Sequence, residues 1–244
     1  MSVSPSHPPP RLAEHVRACR VGDQLIFLDL LQSKYIGVGG PQLAALSAAI
    51  AGRPAVDDAA EVPSNSALVD EWIRRLRNRQ LLSYAPPAER ERERPRPIEP
   101  IATLTTDDED GEAAYDWRQL VRLWRATLVT NSWVRRRNLA DIADRVAALR
   151  ARHSNRTEGI ETETMRAAVA SYMHLRPFAL TTHDRCLNDS LTLIHFLANQ
   201  GLFPQWVIGV RVHPFGAHSW VQNGDVVLND LPERVRRYQP ILVV

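Results

Sequence analysis

Apolar positions come in three short bursts between residues 15 and 38. His15 to Arg20 places Val16 and Ala18 on one face, Gln24 to Leu30 (QLIFLDL) is almost continuously apolar, and Lys34 to Val38 carries Tyr35, Ile36 and Val38. Gly22-Asp23 and Gln32-Ser33 separate them, so the pattern predicts three strands joined by tight turns. Gly39-Gly40-Pro41 ends this alternation, and the period lengthens. Leu43, Leu46, Ala49 and Ile50 form one helical stripe; Leu68, Val69, Trp72, Ile73 and Leu76 form another, within a helix predicted over 66–80. Three strands and two helices in the first 85 residues look like a small winged-helix domain.

The second half reverses the order. Amphipathic spacing predicts helices over 115–128, with Trp117, Leu120, Val121 and Trp124, then over 139–150 and 161–174. A strongly apolar helix follows over 187–200, closed by Gly201. Strands are predicted over 205–212, 218–222 and 226–230, with a Pro214-Phe215-Gly216 loop and an Asn223-Gly224 hairpin between them. Helices first and an antiparallel sheet afterwards give an α+β class.

Composition separates the two halves. Residues 86–100 hold five Pro, four Arg and four Glu with Ile98 as the one branched apolar residue, and five acids occupy 107–112. Such a stretch buries too little apolar surface to offset its ordering entropy. The expected organisation is therefore a domain over 1–85, a linker over 86–112 and a second domain over 113–244. Net charge is +2, which does not favour a dedicated nucleic-acid binder. Arg74, Arg75, Arg77 and Arg79 crowd one helix, but Asp70 and Glu71 precede them, as on an ordinary solvated face. No apolar run reaches the ~18 residues of a spanning helix, and the Ser/Pro/His-rich start lacks a signal-peptide pattern. A cytoplasmic protein that binds neither membrane nor nucleic acid is expected.

The two cysteines, Cys19 and Cys186, make no disulfide framework. Cys186 falls in the first turn of the apolar helix, with Asp184 placed to cap it and Arg185 beside it. Free backbone N–H groups and the positive helix end stabilise a thiolate there. His218 lies on a predicted strand, with Trp220 and Gln222 on the same face. A cysteine at a helix start and a histidine on a strand suit a thiolate–imidazolium pair, which needs an acid or amide to hold the imidazole. Asp230 and its neighbour Asn229, on the return strand, both qualify.

The strings RCLNDSLTLIHFLANQGLFPQWVIGV and AHSWVQNGDVVLND, in the order Cys, His, Asp, resemble the leader peptidases of lasso-peptide biosynthesis, a transglutaminase-like branch of papain-type cysteine peptidases. The resemblance runs over roughly 139–244. It implies a triad of Cys186, His218 and Asp230, with Gln222 standing where many relatives have Glu. The stretch GDQLIFLDLLQSKYIGV resembles precursor-peptide recognition elements, winged-helix domains that take a leader peptide as an added strand. That implies leader binding along Lys34, Tyr35 and Ile36, near the helix bearing Trp72 and Leu76.

The resemblance further implies removal of the leader before macrolactam formation, with a precursor peptide and an asparagine-synthetase-like cyclase as partners, and no cofactor. No Gln precedes Cys186 closely enough to supply a second oxyanion donor beside the Cys186 N–H. Selecting Asp230 has a geometric consequence. A two-residue Asn223-Gly224 loop would turn Asp230 away from His218, so a three-residue loop over 222–224, or a bulge, is predicted. Two other readings use the same residues: a leader-binding adaptor without catalysis, and a zinc site built from His183, Cys186, His213 and His218.

Overall fold

The computed structural model describes residues 10–40, 66–84, 99–104, 117–151, 162–179 and 186–244. The chain divides into two compact units, residues 1–94 and 95–244.

In the first unit, β2 (Val16–Val21), β3 (Gln24–Asp29) and β4 (Lys34–Gly39) form an antiparallel sheet in that order. These are the three apolar bursts of the sequence. Val21 pairs with Gln24 across Gly22-Asp23, and Gly22 takes the positive φ of 58° that this two-residue turn requires. The second connection is longer than expected and spans 30–33: the Asp29 carboxylate accepts from the N–H groups of Leu31 (2.9 Å) and Gln32 (3.0 Å) and folds the turn around itself. Two short strands, β1 (Arg11–Leu12) and β5 (Leu82–Ser83), pair separately. Helix α1 (Ser66–Asn78) lies between β4 and β5 in sequence and sends Leu76 into a core with Val16, Leu25, Phe27, Val38 and Leu81. The helix expected over 43–50 lies outside the described residues.

The second unit contains α2 (Trp117–Arg136), α3 (Leu139–Ala151), α4 (Thr162–Leu175), α5 (Cys186–Ala198) and a short α6 (Pro232–Val235). Its five-stranded sheet has the order β10-β7-β8-β9-β6: β10 (Gln239–Val243), β7 (Gln205–Val212), β8 (Phe215–Asn223), β9 (Val226–Val227) and β6 (Ala102–Thr103). Helix α5 packs against β8 on one side and α2 on another. Its apolar residues from Leu191 to Leu197 are buried, as the sequence of that helix requires. Gly201 ends it with φ 79°, and the Leu202 N–H returns to the Leu197 carbonyl at 3.1 Å.

Three expectations change. Helix α2 continues to Arg136 rather than stopping at Leu128. Thr127, Thr130 and Asn131 interrupt its apolar stripe, but they face inward: Thr127 bonds back to the Leu123 carbonyl, Thr130 is fully buried, and the Asn131 side-chain oxygen accepts from Asn188 of α5. The stretch expected to be linker up to residue 112 is not linker throughout. Ala102 and Thr103 add a parallel strand beside β9, and the second unit begins at Pro95. Composition cannot show a two-residue strand whose partner is more than a hundred residues away. The sheet is therefore mixed rather than purely antiparallel, and β10 and β6 enlarge it beyond the three strands expected.

Candidate active site

Cys186 is the first residue of α5 and is half-buried. Asp184 and Arg185, expected to cap and charge this helix start, lie outside the described residues, as does His183. His218 stands in the middle of β8, with its side chain 7% exposed, and its Nε2 lies 2.5 Å from Asp230 Oδ2. The Cys186 thiol shares a hydrogen bond with the same ring. Since Asp230 occupies Nε2, Nδ1 is the nitrogen left for the thiol. The three side chains singled out in the sequence are thus brought together.

Electrostatics follow from the contacts. Burial works against ionising Cys186, but the His218 hydrogen bond and charge, with the backbone N–H groups of Ser219 and Leu187, outweigh it and hold the thiol below its ordinary value. Burial likewise works against a charged His218. Hydrogen bonds to Asp230 and Cys186 and the negative charge on each reverse that and push it up to about 9. For Asp230, burial favours the neutral acid, but His218, the Leu231 N–H at 2.8 Å and Arg234 hold the carboxyl below its usual range. The arrangement favours a thiolate, an imidazolium and a carboxylate in one row.

Asp230 reaches His218 by a route the sequence did not suggest. The β8–β9 loop holds two residues, Gly224 and Asp225, because Asn223 pairs with Val226 and Gln222 with Val227. The expected odd loop is absent, and regular continuation of this register would turn Asp230 away. The ladder instead stops: after the Leu228 N–H bonds to the Val221 carbonyl, residues 228–230 bend. The bend aims Asp230 at the imidazole. Thr103 of β6 donates to the Asp230 carbonyl at 3.0 Å, so the strand hidden in the supposed linker holds this segment. Asn229, the alternative partner for His218, bonds elsewhere: its Oδ1 accepts from the Val221 N–H at 2.8 Å and its Nδ2 donates to Asp189 at 3.0 Å.

Gln222 is fully buried. It accepts from the Trp220 indole at 3.0 Å and donates to the Gly224 carbonyl at 2.7 Å, which ties the hairpin turn to β8. A carboxylate could accept the first bond but could not donate the second, so Gln suits this turn.

Gly209, Tyr238 and Asp189 were not singled out by the sequence reading. Gly209 sits directly opposite His218 in the β7–β8 register. A Cβ there would stand 2.8 Å from two Trp220 ring carbons and 2.9 Å from Tyr238 Cβ. Trp220 and Tyr238 flank the imidazole, with ring centroids 6.1 and 5.2 Å away. A glycine inside a strand rich in β-branched residues was the available signal. Gly209→Ala is expected to lower stability by about 1–3 kcal/mol through overpacking, read as a reduced urea midpoint; an unchanged midpoint would show that the aromatic rings yield freely.

Among the described residues no three His, Cys, Asp or Glu side chains are grouped to hold a metal ion. His213 is exposed at a turn, while His218 is engaged by Asp230 and Cys186, so the zinc reading gains no support there. No helix among the described residues is long and apolar enough to cross a membrane.

Residues expected to contact a leader occupy the first unit. Lys34 is exposed, and Tyr35 and Ile36 are half-buried on β4, which has no strand on its outer side among the described residues. Trp72 is half-buried against the core, with the Arg75 guanidinium 5.3 Å from its ring centroid. Leu76 departs from expectation: at 1% exposure it is a core residue and has no surface to offer a peptide.

Microcin J25-processing protein McjB of Escherichia coli is 45% identical over 47 residues, which is 19% of this chain and 23% of that protein. The match thus spans about a quarter of that curated relative. No solved structure matches the chain significantly. Residues 124–243, which contain Cys186, His218 and Asp230, match the transglutaminase-like superfamily, and this stretch is accordingly a transglutaminase-like domain.

Proposed function

We propose that this chain is a cysteine peptidase that binds the leader of a lasso-peptide precursor and removes it before macrolactam formation. The observation that carries the reading is the convergence of Cys186, His218 and Asp230, in which a thiol held below its ordinary value meets an imidazole raised to about 9. Similarity to a protein named for processing microcin J25 supports it.

In this reading the Cys186 thiolate attacks the carbonyl carbon at the leader–core junction, and the oxyanion forms beside the Cys186 N–H at the start of α5. His218, protonated through Nδ1, gives its proton to the leaving core amine, and the C–N bond breaks. The neutral imidazole then takes a proton from water, whose oxygen attacks the thioester. The leader departs as a carboxylic acid and the thiolate–imidazolium pair returns. Asp230 holds the ring at Nε2 throughout and stabilises its charge. No step draws on a metal or an organic cofactor. The freed core amine would pass to an ATP-dependent asparagine-synthetase-like cyclase.

The first unit supplies binding. An extended leader would add to the outer edge of β4 beside Lys34, Tyr35 and Ile36, its side chains approaching Trp72, with winged-helix-like recognition as the mode. Residues 1–94 alone are expected to bind the leader within a few-fold of the full chain's affinity, and residues 95–244 not to bind it. Calorimetric titration of the two fragments checks this; the opposite pattern would move recognition to the catalytic unit.

The decisive experiment mixes the purified chain with a lasso-peptide precursor and follows the products by mass spectrometry. One cut at the leader–core junction, blocked by prior iodoacetamide treatment, is the expected result. A precursor that binds and stays whole would make the chain a leader-binding adaptor instead.

A further inference from the structure

Asn229 joins three pieces of chain. Its Oδ1 accepts from the backbone N–H of Val221 on β8, three residues beyond His218. Its Nδ2 donates to Asp189 Oδ2 at 3.0 Å and approaches Ser190 Oγ at 3.3 Å, both near the start of α5, which Cys186 opens. Its own backbone leads directly into Asp230.

Asp189 is itself fixed. Its Oδ1 accepts from the Tyr172 hydroxyl of α4 at 2.8 Å and lies 3.3 Å from Arg176 Nε. The same hydroxyl reaches the Asp189 carbonyl at 3.1 Å. One oxygen of the carboxylate therefore anchors α5 to α4, and the other is presented to Asn229. An amide is the side chain that fits between a backbone N–H and a carboxylate, because it accepts from one and donates to the other.

We propose that Asn229 is a positioning residue, whose bonds to Val221 and Asp189 set the distances among Cys186, His218 and Asp230. The inference rests on the peptidase reading for its effect on turnover, but its effect on the thiol needs no substrate. The bend over 228–230 is what aims Asp230 at the imidazole; its ends are tied to the sheet by the Leu228 N–H, which donates to Val221, and by the Asp230 carbonyl, which accepts from Thr103. Asn229 adds, between those two ties, the side-chain link from the bend to α5. Without it, Asp230 and the start of α5 can drift relative to β8, and misplacement of about 1 Å at a reacting group costs roughly 10²-fold in rate.

The test uses the full chain and exchanges the pair. Asn229→Ala is expected to lower kcat for precursor cleavage about 10- to 100-fold with KM nearly unchanged. It should also shift the pH dependence of Cys186 alkylation by iodoacetamide upward, because a looser imidazole stabilises the thiolate less. Asn229→Asp places two carboxylates together, and Asp189→Asn places two amide donors together, so each alone should be at least as damaging. The double exchange, Asn229→Asp with Asp189→Asn, restores a donor–acceptor match in the opposite sense and keeps the Tyr172 and Val221 bonds. It should recover the alkylation profile and most of kcat, a non-additivity that simple loss of packing would not produce.

A wild-type alkylation profile in Asn229→Ala, or a double exchange as impaired as the single variants, would overturn the proposal. If Asn229→Ala does not fold, the exchange pair still decides. If the wild-type chain leaves the precursor whole while the thiol still responds to Asn229, the peptidase reading fails and the positioning role stands.

Discussion

Cys186→Ala should abolish precursor cleavage while leaving leader binding intact. Under the proposed mechanism the thiolate is the atom that bonds to the scissile carbonyl, and removing a nucleophile that acts with its histidine as a unit costs roughly four to six orders of magnitude in rate. The side chain stands at the start of α5 and is half-buried, so its loss removes little packing and the fold should persist. The other cysteine makes the contrast. Cys19 lies in β2, buried, and burial alone pushes its thiol up to about 12; it is protonated at neutral pH and unreactive. Cys19→Ala should cleave normally. Mass spectrometry of timed digests with both variants is the check, and a Cys186→Ala protein that still releases core peptide would remove the peptidase assignment altogether.

Asp230→Ala should reduce kcat by about 10²–10⁴-fold and narrow the pH–rate profile from both sides. The sign follows from the contacts. In the native site His218 stays protonated up to about 9 because Asp230 and Cys186 outweigh its burial. Without Asp230 the burial remains and a hydrogen bond and a negative charge are lost, so His218 gives up its proton at lower pH and the basic limb moves acidward. A less cationic His218 lowers the Cys186 pKa less, so the acidic limb moves up. Fewer molecules hold the ion pair at any neutral pH. Iodoacetamide alkylation across the pH range reads the same change without substrate. Unchanged limbs in the variant would mean that another group orients the imidazole, and the most direct successor would be Asn229.

Local sequence determined most of the elements that carry the site. Strand β7 spans the residues its pattern predicted, and α5 follows from a strongly apolar stretch ended by Gly201. Cys186 at the helix start and His218 on the core-facing side of β8 follow from helical and strand periodicity, which depend on neighbours a few residues apart. Tertiary structure decided the rest, for reasons that no local window contains. Thr103 became part of the site's frame by pairing beside Val227, 124 residues away. Helix α2 ran on through Thr127, Thr130 and Asn131 because Thr127 bonds back within the helix, Thr130 is buried and Asn131 accepts from Asn188 of α5, none of which a stripe of apolar residues can reveal. The choice between Asn229 and Asp230 turned on where the β8–β9 ladder stops. Strand parity would have favoured Asn229, but the bend over 228–230 gave Asp230 to the imidazole and Asn229 to Asp189. The sequence named the residue types and the elements that hold them; packing between distant segments set which side chains meet, because hydrogen bonds across the core outweigh the alternation of a two-residue strand.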